Sequence, residues 1–422
     1  MSAEKKRIVK RSKTNSVMEL VASRLGVTPQ ELEREVSGKC KNVLNIAGLD
    51  KAVDLFWSMI DSPVYVYCDY DCDGITSGSI ISIGCNSIGI KPHIIIPRRF
   101  TDGYGIKVKN LENMDPSGLL ITVDNGIAAN EAVDTAKEKG MKVIILDHHE
   151  ARILNGEQFL PEADVVIDPH ITEADFEDYC GAGLAYRFMR EVFAKKRRPA
   201  DLNGIMSSMI ALAAVGTVGD SVTMKAENRF LVRRGMEQIE QKRVSTGLAL
   251  LLEEMKLSDT LSVEDIAYSL VPAINAFGRL EDEGSRKVAA LLSYTGRKSD
   301  GAKNAAQIVK QMNDERKTYC KELTELAEKM VEETGQMNNS VLVLQDDRFL
   351  KGICGIIAGN LTEKYKVPSI VFGAPENGIC VGSGRSRDWC NLKAAMDKCS
   401  GLFFQYGGHP AACGASIQIE NI

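Results

Sequence analysis

Four short segments of this chain bring together carboxylates and imidazoles at spacings that could serve one chemistry. They are Asp69-Tyr-Asp-Cys-Asp-Gly74, Asp124-Asn-Gly126, Asp147-His-His149 and Asp168-Pro-His170. Crowded carboxylates repel one another and hold on to protons. Divalent cations relieve that conflict, and aspartates joined by histidine suit Mn2+ or Mg2+ better than Zn2+ in a thiolate cage. Two cations would need one bridging carboxylate, and four carboxylates would neutralise them. Taken singly, Asp-Gly and Asp-Asn-Gly are common turns, and a strand-end acid is usually a helix cap. His93 and His170 read as ordinary packed or surface rings. The metal reading rests on the coincidence of several such motifs on successive strands.

Those strands can be read from the apolar runs that precede the motifs. Val64–Cys68, His93–Ile96, Leu119–Val123, Lys142–Leu146 and Asp164–Ile167 are short β-rich runs, separated by polar stretches of helical period such as Ile127–Lys139, which Gly140 should close. This is the pattern of a parallel α/β sheet, whose strands present their carboxyl ends, and hence the acids, along one ligand-binding edge. From Gly181 to Ser293 the period is mostly helical, and Arg297–Glu333 reads as one long charged connector helix without proline. After Gly335 the β pattern returns in Val341–Leu344, Ser369–Phe372 and Ile379–Gly382 and ends in the glycine-rich stretch Tyr406–Ser416. The expected fold class is α/β, with a parallel-sheet catalytic domain (63–296, its helical part included), a connector (297–335) and a smaller α/β substrate-binding domain (336–422). Residues 1–62 are expected to form a basic tail and a helical lead-in.

Composition narrows the function classes. A chain of 422 residues is long enough for two or three cores. No stretch of about 18 uninterrupted apolar residues argues for a membrane span, and the basic start Met1–Lys13 lacks the apolar run of a secretion signal. Eleven scattered cysteines with no C-x-x-C pair indicate neither a disulfide framework nor a thiolate zinc site, so a reducing cytoplasm is the expected location. A net charge of −5 argues against non-specific coating of nucleic acid. The basic clusters Arg98-Arg99, Lys195–Arg198 and Arg233-Arg234 read first as solvated faces and second as parts of a local channel.

The residues then resemble a known family. Asp69-Tyr-Asp-Cys-Asp-Gly-Ile-Thr-Ser77, Val123-Asp-Asn-Gly126 and Asp147-His-His149 look like the first three motifs of DHH phosphoesterases, and Ala214–Asp220 resembles the next. Asn275-Ala-Phe-Gly-Arg-Leu280 resembles a segment typical of RecJ-type nucleases. The connector and Gly407-Gly-His409 resemble the DHH-associated second domain, so the resemblance runs from about residue 50 to the end.

The resemblance implies a two-metal phosphodiesterase, closest to RecJ-type enzymes that degrade single-stranded DNA from the 5′ end, with Mn2+ preferred and Mg2+ able to serve. It implies that Asp71 holds one cation, Asp73 the other, that Asp124 bridges both, and that His148 and Asp220 complete the coordination of the second cation, while His149 faces the phosphate. Asp69 and Asp147 are expected behind these donors, orienting histidine or water. Arg99, Asn275, Arg279, Ser383, Arg385, Gly407, Gly408 and His409 are the expected substrate contacts, with Phe100 or Tyr104 available to stack a base. Cys72 is expected to pack, because strand alternation would turn it away from Asp71 and Asp73. Two departures stand out. Ala273 occupies a place where relatives often carry a basic residue. The sequence also stops at Ile422, where bacterial RecJ usually continues into an OB-type domain, which implies a shortened sequence or a weaker grip. DNA is favoured over RNA as partner. The competing readings are a phosphodiesterase for very short oligonucleotides, nucleotide bisphosphates or cyclic dinucleotides, and a non-catalytic replication scaffold.

Overall fold

Alternating runs of β-branched and apolar residues become a five-stranded sheet in the computed structural model, which describes residues 16–36, 45–103, 105–154, 156–196, 198–257 and 261–422. The basic amino terminus, Tyr104 and Arg197 lie outside the described residues. Helices Val17–Leu25, Pro29–Val36 and Leu49–Ser58 precede the sheet. Its first strands are β1 (Val64–Cys68), β2 (His93–Ile95), β3 (Leu119–Val123) and β4 (Lys142–Leu146). A small hairpin follows, β5 (Arg152–Leu154) and β6 (Glu157–Phe159), to which the apolar runs of the sequence give no clue. It exposes Ile153, Leu154 and Phe159. Strand β7 (Val165–Ile167) then completes the sheet in the order β2-β1-β3-β4-β7, all parallel. Every residue of β3 is buried, as a strand with helices on both faces requires.

One face of the sheet is covered by the helices Cys72–Ser87 and Gly181–Lys195, on which Leu202–Gly219 packs in turn, and the other by the helix Asn130–Glu138. That last helix starts later than the periodicity from Ile127 suggests. Residues 126–129 form a turn instead, with Gly126 at φ +117° and the Ala129 amide donating to the Gly126 carbonyl, while the Ile127 amide donates to the Asp147 carboxylate at 2.9 Å. Gly140 follows the helix at φ +97°, where it was expected to end it. Leu202–Gly219 is apolar and long enough to cross a bilayer, yet 61% of it is buried against neighbouring helices, and its composition is that of a core helix.

The charged helix Asp300–Glu333 begins at Ser299, whose side chain accepts the Ala302 amide, and runs 34 residues, about 50 Å at roughly 1.5 Å per residue. It packs on Val271–Leu280 of the first domain and on Cys354–Tyr365 of the second. The second sheet contains β8 (Leu342–Gln345), β9 (Ser369–Phe372), β10 (Ile379–Arg385), β11 (Phe403–His409) and β12 (Ala412–Gln418) in the order β11-β12-β10-β9-β8. The glycine-rich ending is therefore an antiparallel hairpin, with Gly407 opposite Gly414 and Gly408 opposite Cys413. Ser383, Gly384 and Arg385 extend β10 beyond its expected end because β9 and β12 pair with it on both sides.

Candidate active site

Strand ends set the site. The Asp124 amide donates to the Leu146 carbonyl and the Asp147 amide to that of Ile167, so each acidic motif is stepped onto the end of the next strand. Asp124 is held at φ +59°, a left-handed conformation that an Asp tolerates better than most residues. Asp71 caps the helix Cys72–Ser87, accepting the Asp73 and Gly74 amides at 3.0 and 3.2 Å. Asp73 lies within the first turn and is met by another helix start: the Gly181 and Ala182 amides donate to its two oxygens at 2.6 and 2.9 Å. Gly181 must be glycine, because a Cβ there would sit 2.6 Å from the Cβ of Asp124. Asp220 closes the helix Leu202–Gly219.

Three overlapping groups of donor atoms result, each with its atoms within 4.8 Å of one another: Asp69, Asp71 and Asp124; Asp73, His148 and Asp220; Asp124, His148 and His149. Asp124 belongs to two groups and His148 to two. The His148 Nε2 lies 3.1 Å from Asp124, 3.7 Å from Asp220 and 3.8 Å from Asp73. Asp69, expected behind the donors, stands among them with an Oδ1 that has no hydrogen-bond partner among the described residues. Asp147 stays behind. It accepts the His148 amide at 2.8 Å and the His149 Nδ1–H at 2.8 Å, and so fixes the ring of His149 rather than that of His148. Asp168 is fully buried but belongs to none of these groups.

The electrostatics match a cation site. Burial, and then neighbouring carboxylates, push Asp69 and Asp220 up to about 8 and Asp124 well above the carboxylate range. Burial holds His148 below its usual value, leaving it neutral and able to donate a lone pair. Burial opposes the charge of His149 too, but the bond and charge of Asp147 prevail and raise it to about 9. Buried carboxylates that keep protons near neutral pH, one with an orphaned oxygen, fit divalent cations well.

A stability prediction follows. Carboxyls whose protons bind more tightly in the folded state stabilise it below the ordinary carboxylate range, and that stability is lost as the pH rises toward 8. In chelator, Tm should fall between about pH 5.5 and about pH 8. Saturating Mn2+ should abolish the slope by displacing the protons. Scanning calorimetry with and without the metal tests it, and a flat metal-free profile would remove the electrostatic account.

Opposite the carboxylates lies a basic wall assembled from separate segments. The Arg99 guanidinium sits 4.1 Å from the centre of the Tyr70 ring, and its Nε has no partner among the described residues. Arg279 donates to the Gly352 carbonyl of the second domain at 3.2 Å. Burial, then Arg99 and Arg385, depress its pKa to about 10, with Arg316 of the connector helix contributing. Arg385 packs with Ser383 at the start of the helix Cys354–Tyr365. Among the described residues, none of these four arginines is ion-paired to a carboxylate. By contrast, Arg98 pairs with Asp102, Lys195 with Asp54, and Arg233 and Arg234 with Glu237. The Asn275 Oδ1 also has no partner among the described residues. His409 joins His149, Asp147 and Lys107 around a cavity of 330 Å³ that adjoins the acidic cluster through His149.

Known proteins share these domains and this fold. The DHH family N-terminal domain matches residues 63–217 and the DHHA1 domain residues 338–422. The single-stranded-DNA-specific exonuclease RecJ of Escherichia coli is 30% identical over 425 residues, covering 94% of this chain and 71% of that protein. The chain belongs to the RecJ family. The Bacillus subtilis RecJ is 31% identical across 89% of this chain but only 46% of its own length. Among solved structures, an exonuclease RecJ bound to manganese is 26% identical, with a TM-score of 0.74 over 89% of this chain and 91% of that one. A Thermus thermophilus RecJ in complex with Mn2+ is 25% identical, with a TM-score of 0.75 over 95% of this chain and 58% of that one.

Within this RecJ-family fold, several site residues carry no local signal in the sequence. Gly181 and Ala182 serve Asp73 through backbone amides, and Arg316 lies within an otherwise ordinary charged helix. Cys72 packs as expected, for a different reason. It begins a helix rather than continuing a strand, lies against Gly219, and burial pushes its thiol well above the ordinary range. Phe100 is exposed beside Arg99, and His93 stacks on Tyr65 away from the acidic groups.

Proposed function

We propose that this protein is a single-stranded-DNA exonuclease that removes mononucleotides from the 5′ end, with two divalent cations, Mn2+ preferred over Mg2+. One observation carries this reading: a buried carboxylate cluster faces a set of arginines that no carboxylate among the described residues pairs. Divalent cations balance the first, and a strand ending in a 5′ phosphate balances the second.

Asp71, Asp73, Asp124, His148 and Asp220 are the residues proposed to hold the cations, and Asp69 is close enough to add a donor. When bound, the cations supply an acidified water and neutralise charge on the reacting phosphate. Arg99, Arg279 and Arg385, with Ser383, take the terminal phosphate by charge-assisted hydrogen bonds. His149, kept protonated by Asp147, donates from Nε2 to a non-bridging oxygen of the scissile phosphate. Water adds to phosphorus, the P–O3′ bond breaks, and the 3′ oxygen leaves with a proton as part of a 5′ mononucleotide. The shortened strand carries a new 5′ phosphate, which the arginines can bind again. Asn275, Gly407, Gly408 and His409 complete the proposed substrate surface.

A Mn2+ time course tests this on a single strand of about 20 nucleotides labelled at either end, long enough to span several nucleotide-binding positions, beside a dinucleotide and an RNA strand. Immediate release of 5′-labelled mononucleotides from the long DNA is expected. Cleavage of the dinucleotide alone would move the assignment to small-substrate phosphodiesterases.

A further inference from the structure

The loop that carries Arg99 is held by a carboxylate far away in sequence. The Asp282 Oδ1 accepts the Phe100 amide at 2.8 Å, and its Oδ2 accepts the Thr101 hydroxyl. A little further on, the Ser285 hydroxyl donates to the carbonyl of Tyr70 at 2.7 Å. Tyr70 is the ring on which Arg99 rests. One turn, 282–285, thus fixes both the loop above the guanidinium and the backbone of the ring beneath it. The same turn closely follows Arg279, so two arginines of the basic wall share one anchor.

The loop is also braced from within. Asp102 accepts the Arg98 amide, Nε and Nη2 at 3.0, 3.1 and 3.2 Å and the Lys109 ammonium at 2.9 Å. That pairing satisfies Arg98, whereas Arg99 has no ion pair among the described residues. This internal brace sets the shape of the loop but not its place. Asp282 supplies the place. A half-exposed carboxylate has water as an easy alternative partner, so two bonds to one loop serve position more than burial.

We propose that Asp282 is a positioning residue for capture of the terminal phosphate, acting through the Arg99 loop without touching substrate. The proposal rests on the assignment of Arg99 to the 5′ phosphate made above. A guanidinium displaced by about 1 Å loses a bidentate contact, and misplacement of that size costs on the order of a hundredfold when it affects reacting groups. A contact to a remote phosphate should lose less, and should lose it in KM.

The experiment compares Asp282→Ala, Asp282→Asn, Thr101→Val and Arg99→Ala on single strands carrying a 5′ phosphate or a 5′ hydroxyl, with Mn2+ present, and measures Tm for each. Asp282→Ala should raise KM on the phosphorylated strand about tenfold, with kcat within about twofold and KM on the hydroxyl strand unchanged. Asp282→Asn, which keeps an acceptor oxygen, should recover part of that loss. Thr101→Val, which removes one donor at an exposed site, should shift KM in the same direction by less. Equal losses on both strands with a lowered Tm would reduce Asp282 to a structural role and overturn the proposal. So would an unchanged Asp282→Ala beside an Arg99→Ala that has lost its preference for phosphate. If Arg99→Ala keeps that preference, the phosphate assignment itself fails, and this outcome is distinct from the other two.

Discussion

Asp124→Asn is expected to lower kcat/KM by at least about a thousandfold, a barrier change of roughly 4 kcal/mol, while making the metal-free protein more stable. Asp124 is the carboxylate common to two donor groups, buried at 2% exposure and within 3.1 Å of His148. Its burial and four neighbouring aspartates disfavour its charge in the metal-free protein. An amide has nearly the same shape and tolerates the left-handed backbone at φ +59°, so the fold should survive. Alanine would confound the result, since a Cβ without a polar partner in that conformation costs about 1–2 kcal/mol. The amide can neither neutralise nor bridge cations. Activity with saturating Mn2+, and Tm in chelator and in Mn2+, give the readout. The variant should melt above wild type in chelator and gain little from the metal. Near-normal turnover would sink the metal assignment.

The acidic half of this site is readable in the sequence because it is local. Asp69, Asp124 and Asp147 directly follow strands whose apolar runs identify them, and a parallel sheet brings strand ends together without further information, whereas Asp220 ends a helix and is reached only by resemblance. Which acid stands in front is not readable. Asp69 precedes a helix cap and is expected behind the donors, yet the turn at Asp71 swings its carboxylate to within reach of Asp124. That outcome depends on how a strand passes into a helix, a three-dimensional detail that no single residue type encodes.

The basic half is legible only in part. Arg99, Arg279 and Arg385 come from resemblance, and their clustering depends on three segments separated by about a hundred residues or more along a chain too long for a single core. Arg316 and Asp282 have no motif at all. One looks like any charge on a solvated helix, and the other like any acid in a turn. The hairpin at β11 and β12 is masked by its glycines, which weaken strand propensity but permit close pairing when a partner strand lies opposite. Periodicity likewise mistakes residues 127–129 for helix, because it cannot register the turn that Gly126 makes at φ +117° before the helix begins.

Arg279→Met is the complementary experiment and should give the complementary result. Arg279 is a cation whose burial and two arginine neighbours pull its pKa down to about 10, with the Gly352 carbonyl accepting from it. Gly352 approaches so closely that a Cβ there would collide with the Arg279 carbonyl oxygen, so the two domains meet at this residue through backbone as well as side chain. Methionine keeps the apolar stem and removes the uncompensated charge, so Tm in the absence of substrate should hold or rise. Binding should suffer: loss of a desolvated charge contact costs about 2–5 kcal/mol, which is roughly 30-fold to several thousandfold in KM on a 5′-phosphorylated strand. Lysine should rescue it incompletely, because a point charge cannot reproduce the planar fork. The dependence of log KM on log salt should also flatten by about one phosphate contact. A lower Tm with KM and salt slope unchanged would instead make Arg279 a tie between the two domains, with its charge incidental.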